Sequence, residues 1–244
     1  MVARTGLEVE VSLPCEILGQ GAANILYTLR AMADERDRTS LFRSIFQENS
    51  WGNSESVSGE GSNLERTAVV RSELPGLLAR HGVKSILDAP CGDFFWMKEL
   101  ALDGIRYIGI DIVPEIIAQN IDLYASPQRV FKLGDLVEEA LPAADLILCR
   151  DCLVHFTYAE TRRALDNFRR SGATWLLTTT FTGPRDNHDI TTGDWRPINL
   201  ERAPYGFPPP VAVINEQSDE IDEELGAFRD KSLGLWRLAD VPSW

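Results

Sequence analysis

The sequence has little positive charge, few cysteines and no long apolar run. Its 244 residues carry 37 acidic and 24 basic side chains, a net charge of −13, which repels phosphate backbones and argues against a nucleic-acid partner. No apolar run approaches the ~20 residues that cross a bilayer, and acidic residues interrupt the N-terminal stretch where a signal peptide would be apolar. We therefore expect a cytoplasmic protein without a nucleic-acid or membrane partner.

The four cysteines are too few for a disulfide framework in a chain of this length. Cys149 and Cys152 have the spacing of one half of a zinc site, but no second pair exists to complete it. We expect Cys15, Cys91, Cys149 and Cys152 to be free thiols. With 44% hydrophobic and 25% charged residues, the composition is that of an ordinary globular protein, and the length fits one large α/β domain with or without a modest cap.

Residues 1–61 predict a segment that precedes the main domain. Apolar residues alternate over 7–13, as in a short strand, and recur at helical spacing over 25–32 and 41–46. The stretch 49–62 is rich in Gly, Ser and Asn, a composition typical of loops. We interpret the segment as a cap or lid, or as a contact between the copies of a homodimer.

Two pairs of residues predict helix starts further along the chain. Ser62 with Glu65, and Thr157 with Glu160, have the spacing of a capping box. Pro75 would kink or divide the first of these helices, because proline removes a backbone hydrogen bond from a helix interior.

The main domain, which we place at 62–244, alternates between short apolar strands and helices. Strands are predicted over 83–88, 107–111, 129–133, 144–149 and 174–181, and helices over 94–102, 114–120 and 157–170. Such alternation predicts right-handed crossovers and a mostly parallel sheet in an α/β fold. Strands near 210–215 and 232–238 bring the sheet to seven, and the proline-rich stretch 182–209, which lacks periodicity, predicts a functional loop.

Polar residues collect where the predicted strands end, and open parallel sheets bind ligands there. The first strand ends at Asp88, and Gly92 in the next turn lacks the Cβ that would hold the backbone away from a ligand, while the following helix would add N–H groups. Asp111 ends the second strand and suits two ribose hydroxyls. Gly134-Asp135-Leu136 follows the third and suits an adenine amino group, and the fourth ends at Arg150-Asp151. Each aspartate alone could cap a helix, but the joint spacing favours a nucleoside-containing cofactor.

From about residue 83 to residue 181, the chain resembles the class I S-adenosylmethionine-dependent methyltransferases. In that family an acidic glycine-rich turn holds the methionine moiety, and acids after the second and third strands hold the ribose and the adenine. The match falls on Asp88, Gly92, Asp111 and Asp135. The resemblance implies S-adenosylmethionine as cofactor and a Rossmann-like, open, mostly parallel seven-stranded sheet with helices on both faces and an N-terminal helical cap. The cofactor contacts that we expect on this basis are Asp88, Ala89, Pro90, Cys91, Gly92, Asp111, Ile112, Gly134, Asp135, Leu136, Arg150, Trp51 and Ser58.

The first turn departs from the family pattern of three alternating glycines. Pro90 and Phe94 occupy the first and third glycine positions, which implies a tighter and differently shaped turn. A narrower likeness, to a bacterial group of such enzymes with mostly unassigned substrates, falls on the segments 42–46, 51–52, 58–62, 194–197 and 231–236.

His155 is the main catalytic candidate, together with Asp151. Methyl transfer from a sulfonium is an in-line displacement, in which a hydroxyl acceptor must lose its proton, whereas an amine needs less help. The ordinary histidine pKa of ~6.5 suits that proton transfer, and His155 follows the fourth strand. A histidine at this position could also simply cap or pack.

The loop after the fifth strand supplies candidates for substrate and metal binding. Substrate contacts are predicted at His188, Asp189, Trp195 and Tyr205. Asp151, Asp186 and Asp189, with His188, could hold a Mg²⁺ ion that activates a sugar diol, because hard cations favour carboxylate oxygens. Loop polarity alone is the favoured explanation of these residues, so no metal site is assigned.

The leading interpretation is O-methylation of a sugar, saccharide or other hydroxylated small molecule, with His155 as general base. An N-methyltransferase of a small molecule or protein would tolerate loss of that base. A nicotinamide oxidoreductase would also use Asp111 for its ribose, but it needs G-x-G-x-x-G in the first turn, and this chain lacks that motif. A cofactor-binding module without catalysis is the remaining alternative.

Overall fold

The computed structural model describes residues 38–222 and 225–243. The strand predicted over 7–13, the helix predicted over 25–32 and Cys15 lie outside the described residues. Residues 38–48 are helical, as the spacing over 41–46 predicts, and form α1. The loop that follows contains one 3-10 turn, Glu60–Ser62. The predicted domain boundary at residue 61 stays a prediction.

The described residues contain nine strands, seven of which form one sheet. They are β1 Ser85–Asp88, β2 Arg106–Asp111, β3 Arg129–Leu133, β4 Leu146–Cys149, β5 Trp175–Phe181, β6 Ala212–Asn215, β7 Ile221–Asp222, β8 Gly226–Ala227 and β9 Lys231–Arg237. The sheet order is β3-β2-β1-β4-β5-β9-β6. Neighbours among the first five strands are parallel, while β9 is antiparallel to β5 and β6. The predicted seven-stranded, mostly parallel sheet is confirmed, and the small β7–β8 pair is an addition that the sequence did not predict.

Helices cover both faces of the sheet: α2 Ala68–Arg80, α3 Pro114–Tyr124 and α4 Tyr158–Arg170. Successive strand residues point to opposite faces. Ile86 of β1 therefore packs in the apolar cluster that contains α2, and Leu87 packs in the cluster that contains α4. Burying each large aliphatic side chain in these clusters stabilises the fold by roughly 1.5–3 kcal/mol. Among the described residues, no helix is both long and apolar enough to cross a membrane.

The two capping-box predictions have opposite outcomes. The box at α4 is present, because Thr157 Oγ1 accepts from Glu160 N and the Glu160 carboxylate accepts from Thr157 N. The box at Ser62 is wrong, since α2 begins only at Ala68. Asn63 organises a turn there by accepting from Arg66 N through its side chain and from Thr67 Oγ1 through its carbonyl, and this turn delays the helix.

Two other helix predictions also need correction, one of them in part. Pro75 does not divide α2, which runs through it, and the alternative of a kink stays a prediction. The helix predicted over 94–102 is wrong, because only the 3-10 turn Met97–Glu99 forms. Phe94 has a φ of 59°, in the left-handed region that ends regular helix, and its buried ring packs against Tyr107 and Phe131 at centroid distances of 4.9 and 5.2 Å.

The proline-rich loop over 182–209 has no strand or helix, as predicted. It is nevertheless well packed, since Ile198, Leu200 and Phe207 are buried in the cluster that contains α4. The loop therefore acts as an extra layer on one face of the sheet.

Candidate active site

A cavity lies where β1, β2, β3 and β4 end. The ends of these strands contribute Asp88, Asp111, Gly134 and Arg150 to its wall. The full lining is Arg38, Phe42, Phe46, Trp51, Val57, Ser58, Ser62, Asp88, Pro90, Cys91, Gly92, Asp93, Trp96, Ile110, Asp111, Ile112, Val113, Ile116, Gly134, Asp135, Leu136, Arg150, Asp151, Cys152, His155 and Phe156. All the residues predicted to contact a cofactor lie here except Ala89, which is fully buried behind the wall, and so do His155 and Asp151. Their roles in binding stay predictions.

The turn after β1 has a glycine-like backbone at two positions. Gly92 has a φ of 51°, and a Cβ added there would overlap the Ser58 hydroxyl. Phe94, at the third family glycine position, has a φ of 59°. A non-glycine residue in this region costs roughly 1–3 kcal/mol, and the aromatic packing of the Phe94 ring offsets that cost. A non-glycine residue therefore adopts, at this position, a backbone conformation that favours glycine.

The serine-rich loop before α2 is fastened to this turn by Asp93. The Asp93 carboxylate accepts hydrogen bonds from Ser56 Oγ at 3.0 Å, from Val57 N at 3.0 Å and from Ser58 Oγ at 3.3 Å. In return, Asp93 N donates to Ser58 Oγ at 3.1 Å. The predicted helix N-terminus is absent here, so its N–H groups are not offered to a ligand. The loop instead places Ser58 and Trp51 in the cavity wall.

Asp111 is held by the backbone and keeps room for a ligand. Its carboxylate accepts from Gly92 N and Val113 N, each at 3.0 Å. A carboxylate has about four acceptor positions, so about two remain on this side chain. Burial raises the pKa of Asp111 to about 6, against the lowering effect of these backbone hydrogen bonds.

Asp88 is paired with a buried tyrosine. Tyr107 Oη donates to Asp88 Oδ2 at 2.6 Å, and the carboxyl is 2% exposed. Burial raises the pKa of Asp88 to about 7, although the hydrogen bond from Tyr107 acts in the opposite direction. The tyrosine thus fixes the orientation of a carboxyl that changes charge near neutral pH.

Asp135 is bound by an arginine that sequence reasoning missed. Arg38 donates to Asp135 Oδ2 from Nη2 at 2.6 Å and from Nε at 3.1 Å, and to Glu160 Oε1 from Nη1 at 3.0 Å. Arg38 is 2% exposed. Burial would lower its pKa, but the hydrogen bonds to Asp135 and Glu160 raise the pKa above the usual value. Because Val137 N donates to Asp135 Oδ1 at 2.8 Å, this carboxylate keeps about one acceptor position for a ligand.

One face of α1 runs along the cavity. Arg38, Phe42 and Phe46, spaced four residues apart, all line it, since such residues share a helix face. Phe42 packs against Phe156 at a centroid distance of 6.1 Å and against Trp51 at 6.4 Å. The sequence predicted the helix but contained no signal that this face belongs to the site.

His155 lies in a 3-10 turn after β4, Leu153–His155, and its ring is held on two sides. Nδ1 lies 2.9 Å from the carbonyl oxygen of Asp194, which can only accept, so Nδ1 carries the proton and Nε2 carries the lone pair. The ring stacks on Trp51 with centroids 4.9 Å apart and planes 24° apart. Burial lowers the pKa of His155, while the hydrogen bond to Asp194 acts against that shift. A neutral imidazole at neutral pH follows.

Asp151 belongs to a buried network of charges. Its carboxylate accepts from Lys231 Nζ at 2.8 Å and pairs with Arg150 at 3.2 Å, and Arg150 also pairs with Glu216 at 2.7 Å. Burial would raise the pKa of Asp151, but the charges of Arg150 and Lys231 hold the pKa below its usual value. Asp151 is therefore a fixed anion that positions neighbouring groups, and a role as proton acceptor does not fit it.

Comparisons with known proteins match the part of the chain that contains these strand ends. A family model described as a methyltransferase domain matches residues 87–172. Over these residues the chain is similar to methyltransferase domains. A magnesium-protoporphyrin O-methyltransferase of Rhodobacter capsulatus is 31% identical over 109 residues, which cover 43% of this chain and 47% of that protein.

Solved structures are similar to this chain to different extents, and the first of the two that follow supports the fold. Human N-acetylserotonin methyltransferase in complex with S-adenosylmethionine matches with a TM-score of 0.50 and 14% identity, over 72% of this chain and 52% of that one. A magnesium protoporphyrin IX methyltransferase from Synechocystis with bound S-adenosylhomocysteine has a TM-score of 0.42 and 16% identity, over 58% of this chain and 71% of that one. The chain spans about half the length of the curated relative and of the human enzyme.

The residues predicted to bind substrate are not part of the cavity lining. Tyr205 is buried and accepts from Arg196 at 2.8 Å, and Trp195 packs on Phe181 and Phe228. Asp189 accepts from Tyr158 N at the start of α4, and His188 is exposed. The structure does not bring these four residues into the cavity wall, because each has a packing or capping role in the loop layer or faces solvent.

The candidate Mg²⁺ ligands are not brought together either. Asp186 pairs with Arg202 at the surface, while Asp189 caps α4 and Asp151 pairs with Lys231. Within the described ranges, no three His, Cys, Asp or Glu side chains are arranged to hold a metal ion. Cys91, Cys149 and Cys152 are free and buried, as predicted, and the first and last of them line the cavity.

Proposed function

We propose that the protein transfers the methyl group of S-adenosylmethionine to a hydroxyl oxygen of a small molecule, with His155 as general base. The observation that carries this proposal is the hydrogen bond from His155 Nδ1 to the Asp194 carbonyl. It leaves Nε2 as a proton acceptor on a residue that lines the cavity. A saccharide or another hydroxylated small molecule would meet this requirement. The predicted homodimer and cytoplasmic location stay predictions.

The residues at the strand ends fit the cofactor. Asp111 has about two open acceptor positions for the ribose hydroxyls, and the backbone at Gly92 has no Cβ to hold a ligand away. Asp135 keeps about one acceptor position for an adenine amino group, while Arg38 fixes its orientation. Asp88 lies in the same wall, where it can meet the polar end of the methionine moiety.

The reaction needs alignment and removal of one proton. When bound, S-adenosylmethionine supplies an electrophilic methyl group, which leaves the sulfur in an in-line displacement. His155 Nε2 takes the hydroxyl proton as the new C–O bond forms, and this general-base assistance contributes typically 10²–10⁴-fold. The Asp194 carbonyl and the Trp51 ring hold the imidazole in place. The carboxylate of Asp151 favours the imidazolium that results, while the charges of Lys231 and Arg196 act against it.

The test separates binding from turnover with two variants of His155. His155→Asn keeps a side-chain donor for the Asp194 carbonyl and lacks the Nε2 base, whereas His155→Ala removes both. In calorimetry, we expect both variants to bind S-adenosylhomocysteine as tightly as the wild type does. With S-adenosylmethionine and a hydroxylated acceptor, we expect both variants to form S-adenosylhomocysteine at least 100-fold more slowly than the wild type. Turnover by His155→Asn at the wild-type rate would show that His155 is not a general base, and it would favour an amine as the acceptor.

A further inference from the structure

The part of the cavity around His155 is built from rings. Trp51 stacks on His155 at 4.9 Å, and Phe42 lies between Trp51 and Phe156 at 6.4 and 6.1 Å. Phe46 belongs to the same wall. Aromatic walls gain most from apolar, planar ligands, because such rings bury large areas and stack in offset or edge-on geometry.

The polar side chains at this end already have ion-pair or hydrogen-bond partners within the protein. Arg150 and Asp151 pair with each other, with Glu216 and with Lys231, and the Ser58 hydroxyl bonds to Asp93. A polyol brings several hydroxyls, and each one that loses water without gaining a partner weakens binding. The residues predicted to supply such partners, His188, Asp189, Trp195 and Tyr205, lie outside the wall. The wall around His155 is therefore suited to an acceptor with few polar groups.

The strength of the base points in the same direction. A neutral imidazole whose pKa lies below the usual value is a weak base. A phenolic hydroxyl has a pKa of ~10, as in tyrosine, whereas an aliphatic hydroxyl is close to water at ~15.7. Transfer of a proton to His155 is therefore easier from the phenol by about six pKa units. A larger driving force for this proton transfer makes general-base catalysis more efficient.

We propose that the acceptor is an aryl hydroxyl, whose planar ring packs among Trp51, Phe42 and Phe156 and whose oxygen meets Nε2 of His155. This inference rests on the proposed function. The aryl oxygen forms its bond to the methyl carbon as the C–S bond breaks, the electron pair of that bond goes to sulfur, and the hydroxyl proton goes to Nε2. The products are an aryl methyl ether and S-adenosylhomocysteine.

The first experiment compares acceptors that differ in one property. The panel is 2-naphthol, 2-naphthalenemethanol, catechol and methyl glucoside, with S-adenosylhomocysteine release as the readout. The two naphthalene compounds share their rings and differ in the acidity of the hydroxyl. We expect at least one aryl hydroxyl to turn over 100-fold faster than both 2-naphthalenemethanol and methyl glucoside.

The second experiment tests the ring wall with a matched control. Trp51→Ala should raise the KM for the active aryl hydroxyl roughly tenfold or more, a larger factor than any change in the dissociation constant for S-adenosylhomocysteine. Trp175→Ala removes a tryptophan at the first residue of β5, at the end of the sheet opposite the cavity, where it packs against His81 at a centroid distance of 4.7 Å, and it should change neither value.

The outcomes separate this inference from the proposed function. Turnover of methyl glucoside with none of either aryl hydroxyl, or no turnover of any panel member by protein that binds S-adenosylhomocysteine, would overturn the aryl acceptor. An unchanged KM in Trp51→Ala would overturn it too. Absence of S-adenosylhomocysteine binding, or full activity in His155→Asn, would instead overturn the proposed function itself.

Discussion

At the Asp135 end of the cavity Arg38 is bonded to the carboxylates of Asp135 and Glu160, whereas at the His155 end Trp51 and Phe42 pack as rings. Both ends contain a residue of α1, and Trp51 at the His155 end lies in the loop after α1. Paired charges have few alternative arrangements, because separating them leaves a buried charge alone. Apolar ring packing is less directional and tolerates substitution better. We therefore expect the charged end to bind S-adenosylmethionine, which such methyltransferases share. We expect the aromatic end to bind the acceptor, which differs from one methyltransferase to another.

The largest expected effect comes from breaking the charged end. Arg38→Ala leaves Asp135 and Glu160 buried without their cation, and we expect it to lower the free energy of unfolding by about 3–5 kcal/mol. Arg43→Ala is the matched control on the same helix, because Arg43 pairs with Glu115 in a partly exposed ion pair. It should lower the free energy of unfolding far less, because solvent screens the charges of this exposed pair. Urea denaturation measures both.

A double variant identifies the source of that loss. Arg38→Ala combined with Asp135→Asn removes one of the uncompensated charges, so it should recover part of the stability lost in Arg38→Ala. Equal losses in Arg38→Ala and Arg43→Ala would contradict the view that burial makes the Arg38 interactions strong. The same outcome would remove the contrast between the two ends.

The elements of the fold were predictable where the determining interactions are local. The β3 bounds and the Thr157–Glu160 box follow from residues close in sequence, and the structure reproduces them. Arg38 was not predictable, because Asp135 and Glu160 lie 97 and 122 residues away. The helix predicted over 94–102 failed because the Phe94 ring packs against residues of β2 and β3, and this contact overrides local preference.

The residues of the site also divide into those that the sequence predicts and those that it does not. The acids at the strand ends were predictable because parallel strands bring their carboxyl ends to one edge, and all of them line the cavity. The loop over 182–209 was expected to contribute Tyr205 and Trp195, but sequence cannot show which face of an aperiodic segment is buried. The ring wall was missed for a related reason, since it joins α1, the loop at Trp51 and the residue after His155.

The turn between the two ends predicts an intermediate effect. Gly92→Ala would place a Cβ against the Ser58 hydroxyl in a backbone with positive φ, whereas Gly104→Ala has a φ of 75° with no atom within 4 Å. Both variants carry backbone strain of roughly 1–2 kcal/mol. We expect only Gly92→Ala to weaken S-adenosylhomocysteine binding in calorimetry, by roughly tenfold, since it alone displaces Ser58. Equal binding by the two variants would show that the loop does not shape the site.

The smallest expected effect is at the aromatic end. Phe42→Leu keeps an apolar side chain and loses the ring contacts with Trp51 and Phe156, and Phe228→Leu loses comparable contacts with Phe181 and Trp195, at 5.6 and 5.0 Å. Ring pairs contribute about 0.5–1.5 kcal/mol, so both variants should lose similar stability in thermal unfolding. Only Phe42→Leu should raise the acceptor KM, by roughly 2- to 10-fold, with S-adenosylhomocysteine affinity unchanged. An equal loss of S-adenosylhomocysteine affinity would mean that the rings contact both the cofactor and the acceptor. The two ends of the cavity would then not bind separate ligands.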